Sequence, residues 1–198
     1  KALSLIPTEG ELGCEMISLK ASIQANSGDK SGALKTMEDG WQHFKNQLYC
    51  TELGYDLAGV YQEIGRRAEA AQVAAQLLKL NPQDATAQNF LGYLWAEEGQ
   101  NLPQAQQLIE AALKQRPDDA YIQDSMAWVL YRQGQFEQAF EHMEQALAAA
   151  PDDPILNEHM GDILSALGLK QKALDYYLKA SLKAVKPLEL EKKIDAIR

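Results

Sequence analysis

Residues 120–153 read AYIQDSMAWVLYRQGQFEQAFEHMEQALAAAPDD, and this stretch decides the fold. Tyr121, Ile122, Met126, Val129 and Leu130 recur at helical spacing along one face. Gly134 ends that helix, because glycine enters the left-handed conformation without a Cβ clash. Phe136, Ala139, Phe140, Met143, Ala146 and Leu147 mark a second helix at the same period. Pro151 stops the unit: its ring removes a donor and disfavours helix in the residue before it. The unit is a pair of antiparallel helices.

The same punctuation recurs on either side. Prolines stand at 82, 117 and 151, glycines at 65, 99, 134 and 168, and alanines at 70, 105, 139 and 173, a recurrence of 34 or 35 residues. One helix pair buries little apolar surface alone, so a fixed period of this length predicts a stack of like units. Upstream, Gly28 and Ala33 precede Gly65 and Ala70 by 37 residues. The second helix there, through Met37, Trp41 and Phe44, is expected to be longer and to absorb the three additional residues. The expected organisation is a loop or the end of a preceding repeat over 1–13, then a degenerate unit over 14–50. Units follow at 51–84, 85–119 (with one inserted residue around Asn101 to Pro103), 120–153 and 154–186. The amphipathic segment 187–198, opened by Pro187, is expected to cap the last apolar face.

These residues resemble the tetratricopeptide repeat. That family wants a small residue at position 8, a large apolar one at 11, Gly at 15, Ala at 20, an apolar one at 24, Ala at 27 and Pro at 32. Ala127, Leu130, Gly134, Ala139, Met143, Ala146 and Pro151 match it; so do Gly92, Trp95, Gly99, Ala105, Ile109, Ala112 and Pro117. Ala58, Tyr61, Gly65, Ala70, Ala74 and Pro82 match in the unit before, with Leu77 where Ala is usual. Gly161, Leu164, Gly168, Ala173, Tyr177 and Ala180 match in the last. The resemblance covers residues 14–186. It implies an all-α, right-handed superhelical solenoid of about five helix pairs plus a capping helix, and a protein that holds other proteins.

Charge narrows the partners. The net charge is −9, with −5 over residues 51–119 and −3 over 120–186, so no basic stripe exists for nucleic acid. An acidic solenoid favours a partner with basic or amide-rich segments; the plainer reading of the same charge is solubility. No apolar run approaches a membrane span, so no membrane contact is expected of this segment. The chain starts at Lys1 without an initiator Met and is expected to be a piece of a longer protein. Cys14 and Cys50 allow one disulfide. Both lie near the starts of adjacent first helices, about 10 Å apart, so a bridge needs a local approach; two half-buried thiols are the alternative.

Catalytic and metal chemistry find little support. His43, His142 and His159 are scattered, with no zinc-protease helix motif, no Cys pair at metal spacing and no phosphate loop. His142 falls on a second helix, where exposure is expected. His159 lies near Glu158 and Asp162, which invites a metal reading, but a solvated polar face is the stronger one. Ser125, His159 and Asp124 compose a triad on paper with nothing to orient it. The expectation is a protein that is not an enzyme and that needs no metal and no cofactor.

The repeat resemblance instead implies a groove, lined by the first helix of each pair. Its lining positions fall here on Tyr55, Asn89, Tyr93, Tyr121, Asp124, Trp128, Tyr131, Glu158 and Asp162, with Glu52, Gln62, Thr86 and Ser165 beside them. The middle is aromatic and amide, the C-terminal end acidic. Tyr and Trp in such a row are the usual anchors of binding, although Tyr93 and Trp128 also suit packing between first helices. Asp124, Glu158 and Asp162 stand where a clamp for a partner's C-terminal carboxylate would need cations, which argues against that clamp.

Local strings carry a closer resemblance. Asn89-Phe-Leu-Gly-Tyr93, Leu108-Ile-Glu-Ala-Ala-Leu113 and Asp124-Ser-Met-Ala-Trp-Val-Leu-Tyr-Arg132 are similar to the C-terminal repeats of proteobacterial outer-membrane lipoproteins, with Ala127 where those carry Gly. That resemblance implies a periplasm-facing adaptor, one kind of which activates a carboxyl-terminal processing protease; a cytoplasmic location is the alternative. A partner protein or peptide is expected. A structural, self-associating array in an envelope assembly is the competing role.

Overall fold

A computed structural model describes residues 10–183 and 187–197. Among them the chain is all helix: α1 (Gly10–Asn26), α2 (Lys30–Phe44), α3 (Thr51–Glu63), α4 (Arg67–Leu80), α5 (Ala85–Glu98) and α6 (Leu102–Gln115) come first. Then follow α7 (Ala120–Arg132), α8 (Phe136–Ala149), α9 (Pro154–Ala166), α10 (Lys170–Ser181) and α11 (Pro187–Ile197), and a 3-10 turn spans Leu48–Cys50. The helices fall into two compact units, Lys1–Ala87 and Gln88–Arg198. Most of the expected N-terminal loop lies outside the described residues, as do 184–186 and Arg198.

Each pair is held by close approach at its small residues. Ala127 and Ala139, and Ala58 and Ala70, are fully buried where their helices cross. At Gly161 in α9 the crossing is tighter still, for a Cβ there would lie 2.3 Å from the Tyr177 ring of α10. The turns between helices depend on the glycine conformation. Gly134 has φ of 78°, and there the Gln135 N–H reaches back 2.9 Å to the Leu130 carbonyl. Asn101, the residue at the expected insertion, also sits in the left-handed region, with φ of 49°, which asparagine tolerates better than most residues.

Helix starts follow a signal two residues beyond each proline. Asp84, Asp119 and Asp153 place Oδ1 on the first free backbone amides of α5, α7 and α9, at 2.8–3.3 Å. Proline ends one unit and the aspartate opens the next, satisfying amides a helix cannot pair by itself.

The first unit contains α1 to α4. Trp41, Phe44, Leu53, Leu57, Ala74 and Leu77 form its core. The Tyr61 hydroxyl donates to Glu38 at 2.9 Å, and Arg66 bridges Glu38 and Glu69. Burial and the Glu38 carboxylate push the Tyr61 phenol up to about 12.

Two expectations change here. Residues 10–13 are helical rather than loop, so α1 starts four residues before the expected unit boundary at Cys14: Gly13 and Cys14 are both buried on its inner face. The additional residues of this repeat are not carried mainly by its second helix either. At 15 residues, α2 is one longer than the 14-residue α4. The rest enlarge the connection to α3, where they wind into the 3-10 turn. That turn brings Cys50 to Cys14, with Cα atoms 5.7 Å apart, and the two are disulfide-bonded. The first-helix spacing of about 10 Å is bypassed because Cys50 precedes α3 rather than lying on it. Phe44 and Ile17 pack around the bond.

The second unit runs from α5 to α11. Ile109, Val129, Met143, Leu156, Ile163 and Leu190 are among its fully buried side chains. Successive helices from α6 onward pack on one another, and first helix α7 also touches first helix α9.

Both devices are testable by unfolding. Reduction of Cys14–Cys50 is expected to cost the first unit about 3 kcal/mol; thermal melts with and without reductant measure it, and coincident curves would show the bond to be mechanically idle. Gly161→Ala is expected to cost about 1–3 kcal/mol by overpacking, read from urea midpoints, whereas a neutral result would mean that α9 and α10 separate at little cost.

Candidate functional site

The candidate positions of the second unit lie on α5, α7 and α9. Tyr121, at the start of α7, is 60% exposed, and its hydroxyl lies 3.5 Å from Asp153. Asp124, one turn on, is buried. It accepts a 2.7 Å hydrogen bond from Nδ1 of His159 on α9, a residue also buried. The imidazole stacks on Trp128 at 4.2 Å between centroids, Trp128 stacks on Tyr131 at 5.0 Å, and Tyr131 tilts against Phe136 at 5.6 Å. A continuous run of carboxylate, imidazole and three aromatic rings thus joins α7, α8 and α9.

Asp124 is therefore no free groove carboxylate, and His159 is not the solvated group its sequence neighbours suggest. Burial alone lowers the imidazole pKa. The charge and hydrogen bond of Asp124, with Asp162 and Glu97 adding, outweigh burial and hold it above its ordinary value. Nor does the paper triad assemble. Asp124 does orient His159, but Ser125 is buried and its Oγ donates to the Tyr121 carbonyl at 2.9 Å. The described residues contain no group of three metal-capable side chains.

The C-terminal positions are engaged as well. Lys193 of α11 places Nζ 2.7 Å from Glu158 and 2.7 Å from Asp162, and Asp162 accepts a 2.8 Å hydrogen bond from the Tyr177 hydroxyl. Burial, then the Asp162 charge, drives the Tyr177 phenol far above its usual range. Burial would lower the Lys193 ammonium, but the two carboxylates more than compensate and raise it. The expected acidic end of the groove is thus paired from within the chain, one ammonium against two carboxylates.

Asn89 and Tyr93 lie half-buried on α5. Asn89 Oδ1 and Trp128 Nε1 are both buried without a hydrogen-bond partner. In the first unit, the Tyr55 hydroxyl is likewise buried without a well-aligned hydrogen bond; burial and the nearby Asp84 carboxylate raise its pKa. The structure thus brings Asp124, Trp128 and Tyr131 into one cluster and Glu158 and Asp162 into another. Tyr121 is left on the surface.

Several polar residues escape a reading by motif. Gln123 and Asn157, each six residues after a proline, donate to the carbonyl of that proline at 2.8 and 2.9 Å. His142, expected to be exposed, is half-buried and bonds Gln123 at 2.7 Å; burial depresses it. A signal for others does exist. His159 follows Asp124, and Lys193 follows Glu158, by 35 residues. Arg132, which donates to the Glu97 carbonyl, follows it by the same interval. Complementary groups one repeat period apart are neighbours across the stack.

Comparison with known proteins agrees with this geometry. A model of the tetratricopeptide repeat matches residues 55–120 and 125–185, and the chain belongs to that family. A TPR repeat-containing protein of Pseudomonas aeruginosa is 29% identical over 125 residues, 63% of this chain; the chain covers 21% of that relative's length. Among solved structures, PilW, a widely conserved type IV pilus biogenesis factor, superposes with a TM-score of 0.74 at 19% identity, covering 93% of this chain and 85% of that one. A thermophilic TPR protein of Thermus thermophilus gives 0.70 at 19% identity, covering 93% and 98%. MamA of Desulfovibrio magneticus gives 0.66 at 20% identity, covering 92% and 97%. The architecture is that of a protein-interaction scaffold.

The His159–Asp124 pair carries a pH signature. A histidine whose folded pKa lies above its ordinary 6.5 stabilises fully below that value, and this stability is lost as pH rises through the folded value. His142, depressed by burial, contributes the opposite slope on the acid side. Stability measured by urea unfolding is therefore expected to fall as pH rises above the ordinary imidazole value of 6.5, and His159→Gln to flatten that fall. A profile identical in the variant would show that the pair does not titrate with folding.

Proposed function

We propose that this chain is a non-enzymatic scaffold that captures a segment of a partner protein on its first-helix face, centred on Tyr121, Trp128 and Tyr131. The observation that carries the reading is the pair of unpartnered buried polar atoms, Asn89 Oδ1 and Trp128 Nε1, both at positions chosen from the repeat register. A buried polar group without a partner costs about 1–3 kcal/mol. A bound polypeptide that displaces the side chains covering these atoms offers what is missing: its N–H groups suit the Asn89 carbonyl oxygen, and its carbonyls suit the Trp128 N–H. Exposed Tyr121 supplies apolar area beside them at low entropic cost.

An adaptor role at the bacterial envelope extends this reading. The resemblance of residues 89–93, 108–113 and 124–132 to outer-membrane lipoprotein repeats supports it. So does the likeness in fold to PilW, a pilus biogenesis factor, and a disulfide suits an oxidising compartment such as the periplasm. In that setting the captured segment belongs to an envelope protein, with a carboxyl-terminal processing protease as the specific candidate.

Trp128→Phe keeps the ring stack and removes the N–H, while Tyr121→Ala removes an exposed ring. Together they are expected to weaken capture of partners from a periplasmic extract about tenfold, with the circular dichroism spectrum unchanged. If every captured protein is retained at wild-type level, this face is not the binding face.

A further inference from the structure

The carboxylates of Glu158 and Asp162 occupy two groove positions of the last helix pair, yet they already hold a ligand: the ammonium of Lys193. The contact has the features of recognition. Two ion pairs of 2.7 Å converge on one Nζ, the Tyr177 hydroxyl steadies Asp162 from the other side, and the Tyr177 ring lies 5.8 Å from the same ammonium. On either side of the lysine, Leu190 and Ile194 are buried, 1% and 6% exposed.

The buried part of α11 is short. Leu188 is 66% exposed, and Ile197, beyond Ile194, is only half-buried. The fully buried attachment of the helix therefore centres on Leu190 and Ile194, with Lys193 between them. A seam this short is the kind of contact that opens locally without global unfolding. Once it opens, two adjacent carboxylates and an apolar seat remain in an acidic unit, with no cation to balance them.

We infer that α11 is a displaceable internal surrogate, and that the α9–α10 face it covers is a docking site for a partner's amphipathic helix carrying the pattern apolar-x-x-Lys-apolar. The occupant is argued from the one that is seen. The site selects lysine through two carboxylates and a ring face, and it selects apolar neighbours through the pockets of Leu190 and Ile194. The inference rests on the groove reading and specifies its C-terminal end, where access depends on release of α11.

The test uses the intact chain and a fluorescent peptide with the sequence of residues 187–198. Leu190→Glu should detach α11, and the peptide is expected to bind this variant at least about tenfold more tightly than it binds wild type. Replacing Lys193 of the peptide by glutamate is expected to remove about tenfold or more of that affinity. Should Leu190→Glu melt without cooperativity, Lys193→Ser, which leaves the apolar seam, takes its place. Hydrogen exchange on wild type provides an arm that needs no variant. Amides of α11 are expected to exchange at least about a hundredfold faster than those of α9.

Equal protection of α11 and α9, or no gain in peptide affinity in a folded variant, would make α11 a permanent cap and overturn the inference. A wild-type dimer that exchanges α11 between copies would overturn it too, by making the second copy the occupant. The peptide arm stays separate from the groove reading. If Trp128→Phe with Tyr121→Ala leaves capture intact while the peptide behaves as expected, the aromatic face fails and the lysine site stands.

Discussion

Everything in this molecule depends on how closely the two helices of each pair approach. At their crossings the residues are Ala58 with Ala70, Gly92 with Ala105, Ala127 with Ala139 and Gly161 with Ala173; the alanines have no exposed surface, and a Cβ at Gly92 would lie 2.9 Å from the Ala105 carbonyl. Backbones that meet so closely leave no room between them for large side chains. Those are displaced to the flanks, where they need the neighbouring pair to bury them. The small residues therefore explain both the pair and the need to stack pairs. They also set the first helix so that a row at positions 2, 5, 9 and 12 runs along one face, which is how Tyr121, Asp124, Trp128 and Tyr131 come to share α7 with buried Val129 and Leu130.

This constraint is local, which is why the fold was legible in the chain. Gly134, Ala139 and Pro151 each act within a few residues of themselves, and their spacing records the unit directly. The site was legible only as positions. Nothing local to Asp124 says that it is buried, because the group that buries it arrives 35 residues later as His159. The same distance separates Lys193 from Glu158. Polar pairing in a repeat array is written at the period of the array, and a search within one unit passes over it. The turn before α3 was hidden for another reason. Two residues added to a connection are read equally well as a longer helix, and only the position of Cys50 ahead of α3 distinguishes them.

These pairings change what an acidic chain offers to a partner. The net charge of −9 suggests a face awaiting basic segments. Yet three of the carboxylates that the register places on that face are already engaged, Asp124 by an imidazole and Glu158 and Asp162 by an ammonium. Such pairing is cheaper than burying a lone charge, since a desolvated carboxylate without a counter-charge costs several kcal/mol, on the order of its lost hydration. What remains along α5 and α7 is aromatic surface and unpaired amide chemistry. On the proposed reading, that combination would meet a polypeptide through its backbone and apolar side chains more than through its charge.

Helices α1 and α11 are held in their units by different means. In the first unit, a covalent bond fixes α1 to the turn before α3, and it closes a 36-residue interval, so the start of that unit cannot drift while the bond is intact. In the second unit, the buried contacts of α11 centre on Leu190, Ile194 and Lys193. A disulfide restricts the unfolded ensemble and is indifferent to competing ligands, whereas a lysine between two carboxylates is exchangeable with any other lysine of matching surroundings. The chain thus fixes α1 covalently under oxidising conditions and, on the inference above, leaves α11 open to competition at the helix that carries Glu158 and Asp162.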